Sequence, residues 1–94
     1  MHKVLSTTPL EQLLRAADGV GLLTELLYLL LTPEEQQDIA DRVQIVQALM
    51  QGHNTQRTMA STLDVSIAKI TRGSNALKHI SPQLADFLKK WAVT

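Results

Sequence analysis

The sequence predicts an all-α protein, and three observations support that prediction. Leucine supplies 16 of the 42 apolar residues in this chain of 94, and only three residues are aromatic. A composition rich in leucine and alanine and poor in β-branched residues favours helices. Helix-capping patterns and apolar residues at helical spacing recur along the chain, whereas no stretch alternates polar and apolar residues as a strand would.

Length and composition also exclude several classes of protein. A chain of 94 residues allows one domain, residues 1–94, with a small core. The absence of cysteine excludes a disulfide framework and a cysteine zinc site, and we expect no metal or redox cofactor. The longest apolar stretch, Leu22 to Leu31, has 10 residues and contains Glu25, whereas a membrane-spanning helix needs about 20. We therefore expect a soluble, cytoplasmic protein.

The first third of the chain predicts two helices of different character. Thr8-Pro9-Leu10-Glu11 has the pattern of a capping box and predicts a helix to about Asp18, before Gly19 and Gly21. The stretch from Leu22 to Leu31 is apolar on almost every face, as in a helix surrounded by protein. A chain of this size cannot easily surround one of its own helices, so we infer a partner subunit. A helix central to a small monomeric bundle is the alternative.

Two further helices are predicted outside the central segment. Thr32-Pro33-Glu34-Glu35 repeats the capping pattern, with acidic residues at the positive end of the helix dipole. The helix is expected to run for about 19 residues to Gly52, because apolar residues recur there at spacings of three and four. These residues are Ile39, Val43, Val46 and Met50. Ser81-Pro82 begins a last helix, whose apolar face consists of Leu84, Phe87, Leu88 and Trp91.

The segment from Asn54 to Lys78 has the pattern of a helix-turn-helix. Its first helix runs from about Gln56 to Leu63, Asp64-Val65 forms the corner, and Ser66 caps a second helix that begins at Ile67. The small Ala60 is suited to the crossing of the two helices, and Asp64 to a left-handed corner residue. Two packed helices without a special function are the alternative.

The formal net charge of zero is the sum of two opposed halves. Residues 1–51 contain three basic and seven acidic residues, whereas residues 52–94 contain six basic and two acidic ones. In the second helix of the helix-turn-helix the charged residues are Lys69, Arg72 and Lys78, all of them basic. This distribution is typical of a protein that meets a phosphate backbone. It favours DNA as a partner, with a merely solvated basic face as the alternative.

From Ile67 to Lys78 the sequence closely resembles the Trp repressor family. The motif Thr71-Arg72-Gly73-Ser74-Asn75 is specific, because glycine is rare inside the recognition helix of other helix-turn-helix proteins. The segments 31–35 and 42–46 match the family in order and spacing, and the resemblance extends roughly from Leu22 to Leu88.

The resemblance implies an intertwined, all-helical homodimer that binds palindromic operator DNA when L-tryptophan is bound. Residues 8–52 would form dimerisation helices, 53–79 the DNA-reading segment and 81–93 a C-terminal dimer helix. The implied corepressor-binding residues are Leu29, Leu31, Thr32, Arg42, Val46, Arg72, Gly73 and Ala76.

Each corepressor residue has an implied role. The indole would lie between Arg42 and Arg72, and Arg72 would bind the tryptophan carboxylate with help from Thr32. Gly73 would leave room for the indole, and helix-end carbonyls of the partner subunit, at its Leu29 and Leu31, would accept from the ammonium. Ala76 departs from the family pattern, which has serine at the place that touches the ammonium.

The same resemblance implies a DNA-binding set of Gln56, Arg57, Ser66, Ile67, Ala68, Lys69, Thr71, Ser74 and Lys78. Arg57 can pair with guanine, whereas Lys69, Ser74 and Lys78 would meet phosphates. The two recognition helices of a dimer would lie about 34–36 Å apart, one turn of DNA.

Three other functions are weighed against this interpretation. One is a helix-turn-helix regulator without tryptophan dependence, and another is a dimeric helical interaction module that does not bind DNA. An enzyme is the least favoured, because His2, His53 and His79 have no acid or thiol at catalytic or metal-binding spacing.

Overall fold

A computed structural model describes residues 5–52 and 55–93, and all regular structure in these residues is helical. A short 3-10 turn, Leu5–Thr7, precedes six α-helices. They are α1 (Leu10–Gly19), α2 (Leu23–Leu30), α3 (Pro33–Gln51), α4 (Gln56–Leu63), α5 (Ile67–Leu77) and α6 (Pro82–Ala92). The all-α prediction is confirmed. The chain divides into two compact units, one up to Gln36 and the other from Gln37 onward.

In the first unit, α1 packs on α2 but little apolar surface is covered. Ala17 is the buried residue of α1, and α2 buries none of its residues. A groove of about 480 Å³ remains open between α1 and α2. Val20 at its edge is 70% exposed and Leu29 is 79% exposed. The apolar helix predicted at Leu22–Leu31 therefore exists, at Leu23–Leu30, and none of its residues is fully buried.

The two predicted capping boxes of the first unit differ in outcome. At Thr32 the prediction is confirmed: its backbone N–H donates to Glu35 Oε1 at 2.8 Å, and the Glu35 N–H donates to Thr32 Oγ1 at 3.1 Å. At Thr8 it is wrong, because α1 begins one residue later than the pattern predicts, with Pro9 at its cap and no side-chain cap bond. The 3-10 turn brings the Leu5 carbonyl to Thr8, and the Thr8 hydroxyl donates to it at 3.0 Å.

The second unit encloses a core where α3, α4 and α5 meet. Ile45, Met59 and Ile70 are almost completely buried, together with Ala48 of α3. Ile39 and Val43 in the apolar repeat of α3 are nearly half exposed, so the core lies on a different side of this helix. Each fully buried Val, Leu, Ile or Met side chain contributes about 1.5–3 kcal/mol. This small core holds α5 in place.

Helices α4 and α5, with the turn between them, are consistent with the predicted helix-turn-helix. Asp64 ends α4 in the left-handed conformation, with φ of 55° and ψ of 48°. The hydroxyl of Ser66 then caps α5 by accepting the backbone N–H of Lys69 at 3.1 Å. Ala60 of α4 is half-buried and packs against the core.

Helix α6 begins as the Ser81-Pro82 pattern predicts. The Ser81 hydroxyl accepts the backbone N–H of Leu84 at 3.1 Å, and Pro82 occupies the first turn. At the other end of the helix, Gln51 Nε2 donates to the Ala92 carbonyl at 3.0 Å. This bond ties the end of α6 to the end of α3 and so helps to fix the walls of the groove described below.

Candidate functional site

An apolar groove of about 460 Å³ lies between α3, α5 and α6 in the second unit. Four residues predicted to bind the corepressor line it, namely Arg42, Val46, Gly73 and Ala76. The remaining walls are Val43, Leu77, Ile80, Leu84, Phe87, Leu88 and Trp91. The spacing predicts the apolar face of α6, and the resemblance implies a dimer helix there, but neither indicates that this face lines the groove. Phe87 remains 63% exposed.

Arg72 lies on a second, smaller hollow of about 170 Å³ between α3 and α5. This hollow is polar, and Arg42 lines both it and the apolar groove. Within the described part of the chain, neither Arg42 nor Arg72 forms an ion pair with a carboxylate. A guanidinium of this kind suits a planar anion, because it offers its N–H groups as a fork.

Gly73 is buried where α5 approaches α3 most closely. A Cβ added there would lie 2.9 Å from Cγ2 of Ile45 and 3.6 Å from Cδ of Arg42. Ile45 is itself 1% exposed and β-branched, so its methyl group cannot easily move away. Close packing of α5 on α3 is therefore a sufficient reason for glycine at this position, in addition to its place on the groove wall.

The three other predicted corepressor residues belong to the first unit. Leu29 is exposed at the end of α2, and Thr32 serves as the cap of α3. The Leu31 carbonyl accepts Gln36 Nε2 at 3.0 Å. One of its two lone-pair directions remains for a further donor.

The predicted DNA-binding residues cluster on the outside of the helix-turn-helix. Gln56 and Arg57 form the exposed first turn of α4. Along α5, residues 67, 71, 74 and 78 recur at spacings of three and four and therefore share one face. Of the predicted DNA-binding residues on this face, Ser74 is half-buried, whereas Ile67, Thr71 and Lys78 are exposed. The exposed Ser66 and Ala68 lie beside its first turn.

Lys69 has a different environment from the other members of that set. Its Nζ donates to Asp41 Oδ2 at 2.7 Å and to Asp38 Oδ1 at 3.2 Å. The hydrogen bond from Lys69, with a second from Gln37, holds the pKa of Asp41 below its usual value. Hydrogen bonds from Lys69 to Asp41 and Asp38 raise the lysine pKa in turn. Asp38 and Asp41 are three residues apart on α3 and therefore share one face of that helix. This i, i+3 spacing is the sequence signal that could have indicated the contact.

In residues 5–52 and 55–93, no group of three His, Asp or Glu side chains is arranged to hold a metal ion. His79 is exposed, and His2 and His53 lie outside the described residues. Among the helices of the described chain, none is both long and apolar enough to cross a membrane.

Comparison with known proteins gives a consistent result. The family model described as Trp repressor protein matches residues 7–92. A Trp operon repressor homolog of Chlamydia trachomatis is 50% identical over 68 residues, which cover 72% of either chain. A homolog of the same name from Mannheimia succiniciproducens is 43% identical over 83 residues, covering 88% of this chain and 82% of the relative. These similarities extend over both units, and the chain belongs to the Trp repressor family.

Proposed function

We propose that this protein is an L-tryptophan-activated transcriptional repressor that acts as a homodimer on palindromic operator DNA in the cytoplasm. The observation that carries the proposal is the placement of the groove. It shares helix α5 with the outer DNA-reading face, so that a ligand in the groove touches the element that would enter the major groove. The names of the relatives, Trp operon repressor homologs, support the same function.

The groove has the dimensions and the lining that an indole ring requires. Its volume of about 460 Å³ is within the range of small-molecule sites. Arg42 and Arg72 would stack on the two faces of the indole, and Arg72 would hold the carboxylate. A charge-assisted hydrogen bond of this kind contributes about 1.5–3 kcal/mol. Val46 and the backbone at Gly73 would pack against the ring.

The partner subunit would complete the site. Carbonyls of the partner subunit's Leu29 and Leu31 would accept from the ammonium. Two observations support a second copy: α2 buries none of its residues within the chain, and the groove beside α6 leaves Phe87 largely exposed. Large exposed apolar patches of this kind mark interaction surfaces.

The face of α5 would read DNA while flanking residues hold the backbone. Ile67, Ala68 and Thr71 would face base edges, directly or through water, and Ser66, Ser74 and Lys78 would lie along the phosphates. In α4, Arg57 could pair with guanine in a bidentate manner and Gln56 could contact phosphate. Tryptophan would act by favouring the orientation of α5 that fits two successive major grooves, a shift of population between orientations.

Calorimetric titration of L-tryptophan into the purified protein tests the corepressor site. The wild type should bind, and the Arg72→Ala variant should lose most of its affinity while the dimer remains folded. Arg57→Ala is a matched control, because it removes an arginine of the same unit that lines neither the groove nor the hollow beside it. Absence of binding by the wild type at millimolar ligand, or equal binding by Arg72→Ala, would contradict the proposed site.

A second candidate is a helix-turn-helix regulator that does not depend on tryptophan. Ala76 favours it, because a methyl group lines the groove where the resemblance implies a hydroxyl for the ammonium. The same titration separates the two, since this candidate gives no heat of binding with L-tryptophan. A protein that also shows no salt-dependent affinity for duplex DNA would instead be an interaction module.

A further inference from the structure

The ammonium group of Lys69 is held by two carboxylates of its own chain. Lys69 lies in the first turn of α5, but its Nζ reaches back to Asp41 at 2.7 Å and to Asp38 at 3.2 Å on α3. Only 34% of the Lys69 side chain and 13% of the Asp41 side chain is exposed, whereas Asp38 is 66% exposed. The ion pair between Lys69 and Asp41 is therefore the one that is better shielded from water, and Asp38 lies on its solvent side.

The surroundings oppose the release of this ammonium. Asp41 Oδ1 accepts Gln37 Nε2 at 2.9 Å while Oδ2 accepts Lys69, so both oxygens of the carboxylate are engaged. If Lys69 moved to a phosphate, the largely covered Asp41 carboxylate would be left without its closest cation. Retention is favoured because Asp41 would lose a charge-assisted hydrogen bond of 2.7 Å that a phosphate contact would replace only for Lys69.

We propose that Lys69 is a positioning residue, which Asp38 and Asp41 retain on α3, and that it makes no phosphate contact when α5 binds DNA. This inference rests on the proposed DNA-binding function and changes the role that the resemblance implied for Lys69. The bridge fixes the first turn of α5 to α3, beside the hollow lined by Arg42 and Arg72. The two aspartates thus remove one cation from the DNA-binding surface of each protomer.

The salt dependence of DNA binding measures this property directly. Each phosphate contact by a cation contributes about 0.9 to the slope of the logarithm of affinity against the logarithm of salt concentration. A homodimer contains every contact twice. The loss of one contacting lysine per protomer should therefore make the slope shallower by about 1.8. The loss of a lysine that touches no phosphate should leave the slope unchanged, even where it weakens binding by loosening α5.

The experiment measures binding to a duplex selected from a palindrome library by the wild-type protein, in saturating L-tryptophan, over a series of salt concentrations. Lys69→Met should keep the wild-type slope, whereas Lys78→Met, its matched control at the C-cap of the same helix, should make the slope shallower by about 1.8. The double variant Asp38→Asn/Asp41→Asn should steepen the slope by up to about 1.8, because it releases Lys69 toward the phosphates. Adding Lys69→Met to this double variant should return the slope to the wild-type value.

Two results would overturn the inference alone: a slope for Lys69→Met that is shallower than the wild-type slope by about 1.8, or a double variant with the wild-type slope. Asp41→Asn alone is the second variant if the double variant fails to fold, since asparagine keeps the acceptor for Gln37. It should then steepen the slope in the same direction. A wild-type protein without salt-dependent binding would overturn the proposed function, and the inference with it.

Discussion

The two units of this chain differ in how completely they bury their apolar residues. In the second unit Ile45, Met59 and Ile70 are 0–1% exposed and form one cluster across α3, α4 and α5. In the first unit Ala17 is the buried hydrophobic residue, while Leu29 is 79% exposed. The second unit therefore encloses its own core, whereas the first has apolar surface that its own helices do not cover. This difference fits the proposed function, in which the second unit would read DNA with its own core intact and the N-terminal helices would meet another subunit.

The largest expected effect follows from the core of the second unit. Ile70→Ala should lower the free energy of unfolding by about 2–5 kcal/mol, because it leaves a cavity between three helices. Ile67→Ala on the same helix is the matched control: Ile67 is 52% exposed, and its truncation should cost less than about 0.5 kcal/mol. Urea unfolding followed by circular dichroism measures both. Equal losses for the two variants would contradict the packing described for α5.

Replacement of a glycine by alanine should have opposite effects on stability in the two units. Gly73→Ala should destabilise the protein by about 1–3 kcal/mol, because the new Cβ meets Cγ2 of Ile45 at 2.9 Å. Gly19→Ala in α1 should instead stabilise it by about 0.5–1 kcal/mol, since nothing lies within 4 Å of the new methyl group and alanine favours a helix. Thermal unfolding of the two variants gives the comparison. A stabilising Gly73→Ala would show that α5 and α3 are not in close contact.

The corner of the helix-turn-helix gives an effect of intermediate size. Asp64 has φ of 55°, so Asp64→Val should cost about 1–2 kcal/mol from the left-handed conformation alone. Asp64→Gly should retain or slightly improve stability, because glycine adopts this conformation without strain. Equal midpoints of urea unfolding for the valine and glycine variants would contradict a left-handed residue at this corner.

The smallest expected effect is the pH dependence of the ion pairs in the two units. The Asp41 pKa is lowered by its bond from Lys69, so its stabilisation is present above the unfolded pKa and is lost as pH falls through the folded one. The Lys69 pKa is raised, so its stabilisation is present below the unfolded pKa and is lost as pH rises through the folded value. The stability difference between wild type and Lys69→Met should therefore be constant near neutral pH and shrink at both extremes.

The matched control for this pH dependence is the exposed pair of the first unit. Arg15 lies 3.8 Å from Glu11, with both side chains more than 70% exposed. Arg15→Met should leave the pH dependence of unfolding unchanged, because water screens such pairs. A Lys69→Met variant that behaves in the same way would contradict the bridge to Asp38 and Asp41.

Local signals in the sequence predicted most of the fold. Ser66, Ser81 and Thr32 mark helix starts, because a hydroxyl cap depends on residues within a single turn. Thr8 carries the same signal and failed, because the 3-10 turn before it offered a competing carbonyl. The side of α3 that faces the core could not be predicted from its own apolar spacing. Ile45 is buried because α4 and α5 pack there, which is a property of the tertiary arrangement.

The candidate site was predicted more by resemblance than by chemistry. Arg42, Val46, Gly73 and Ala76 were named from a family motif, and they line one groove. The walls supplied by α6, such as Phe87 and Leu88, depend on where that helix returns along α3, which no local pattern specifies. The bridge from Lys69 to Asp41 joins residues 28 positions apart and was missed for the same reason.

Gel-shift titration of a selected palindromic duplex, with and without L-tryptophan, tests the central claim most directly. If tryptophan in the groove orients α5, saturating ligand should tighten DNA binding by about 5–150-fold, the usual range of coupling between two sites. Arg72→Ala should lose that increase and retain the weaker, ligand-free binding. The same affinity for the duplex with and without L-tryptophan would contradict the claim that the groove controls DNA binding.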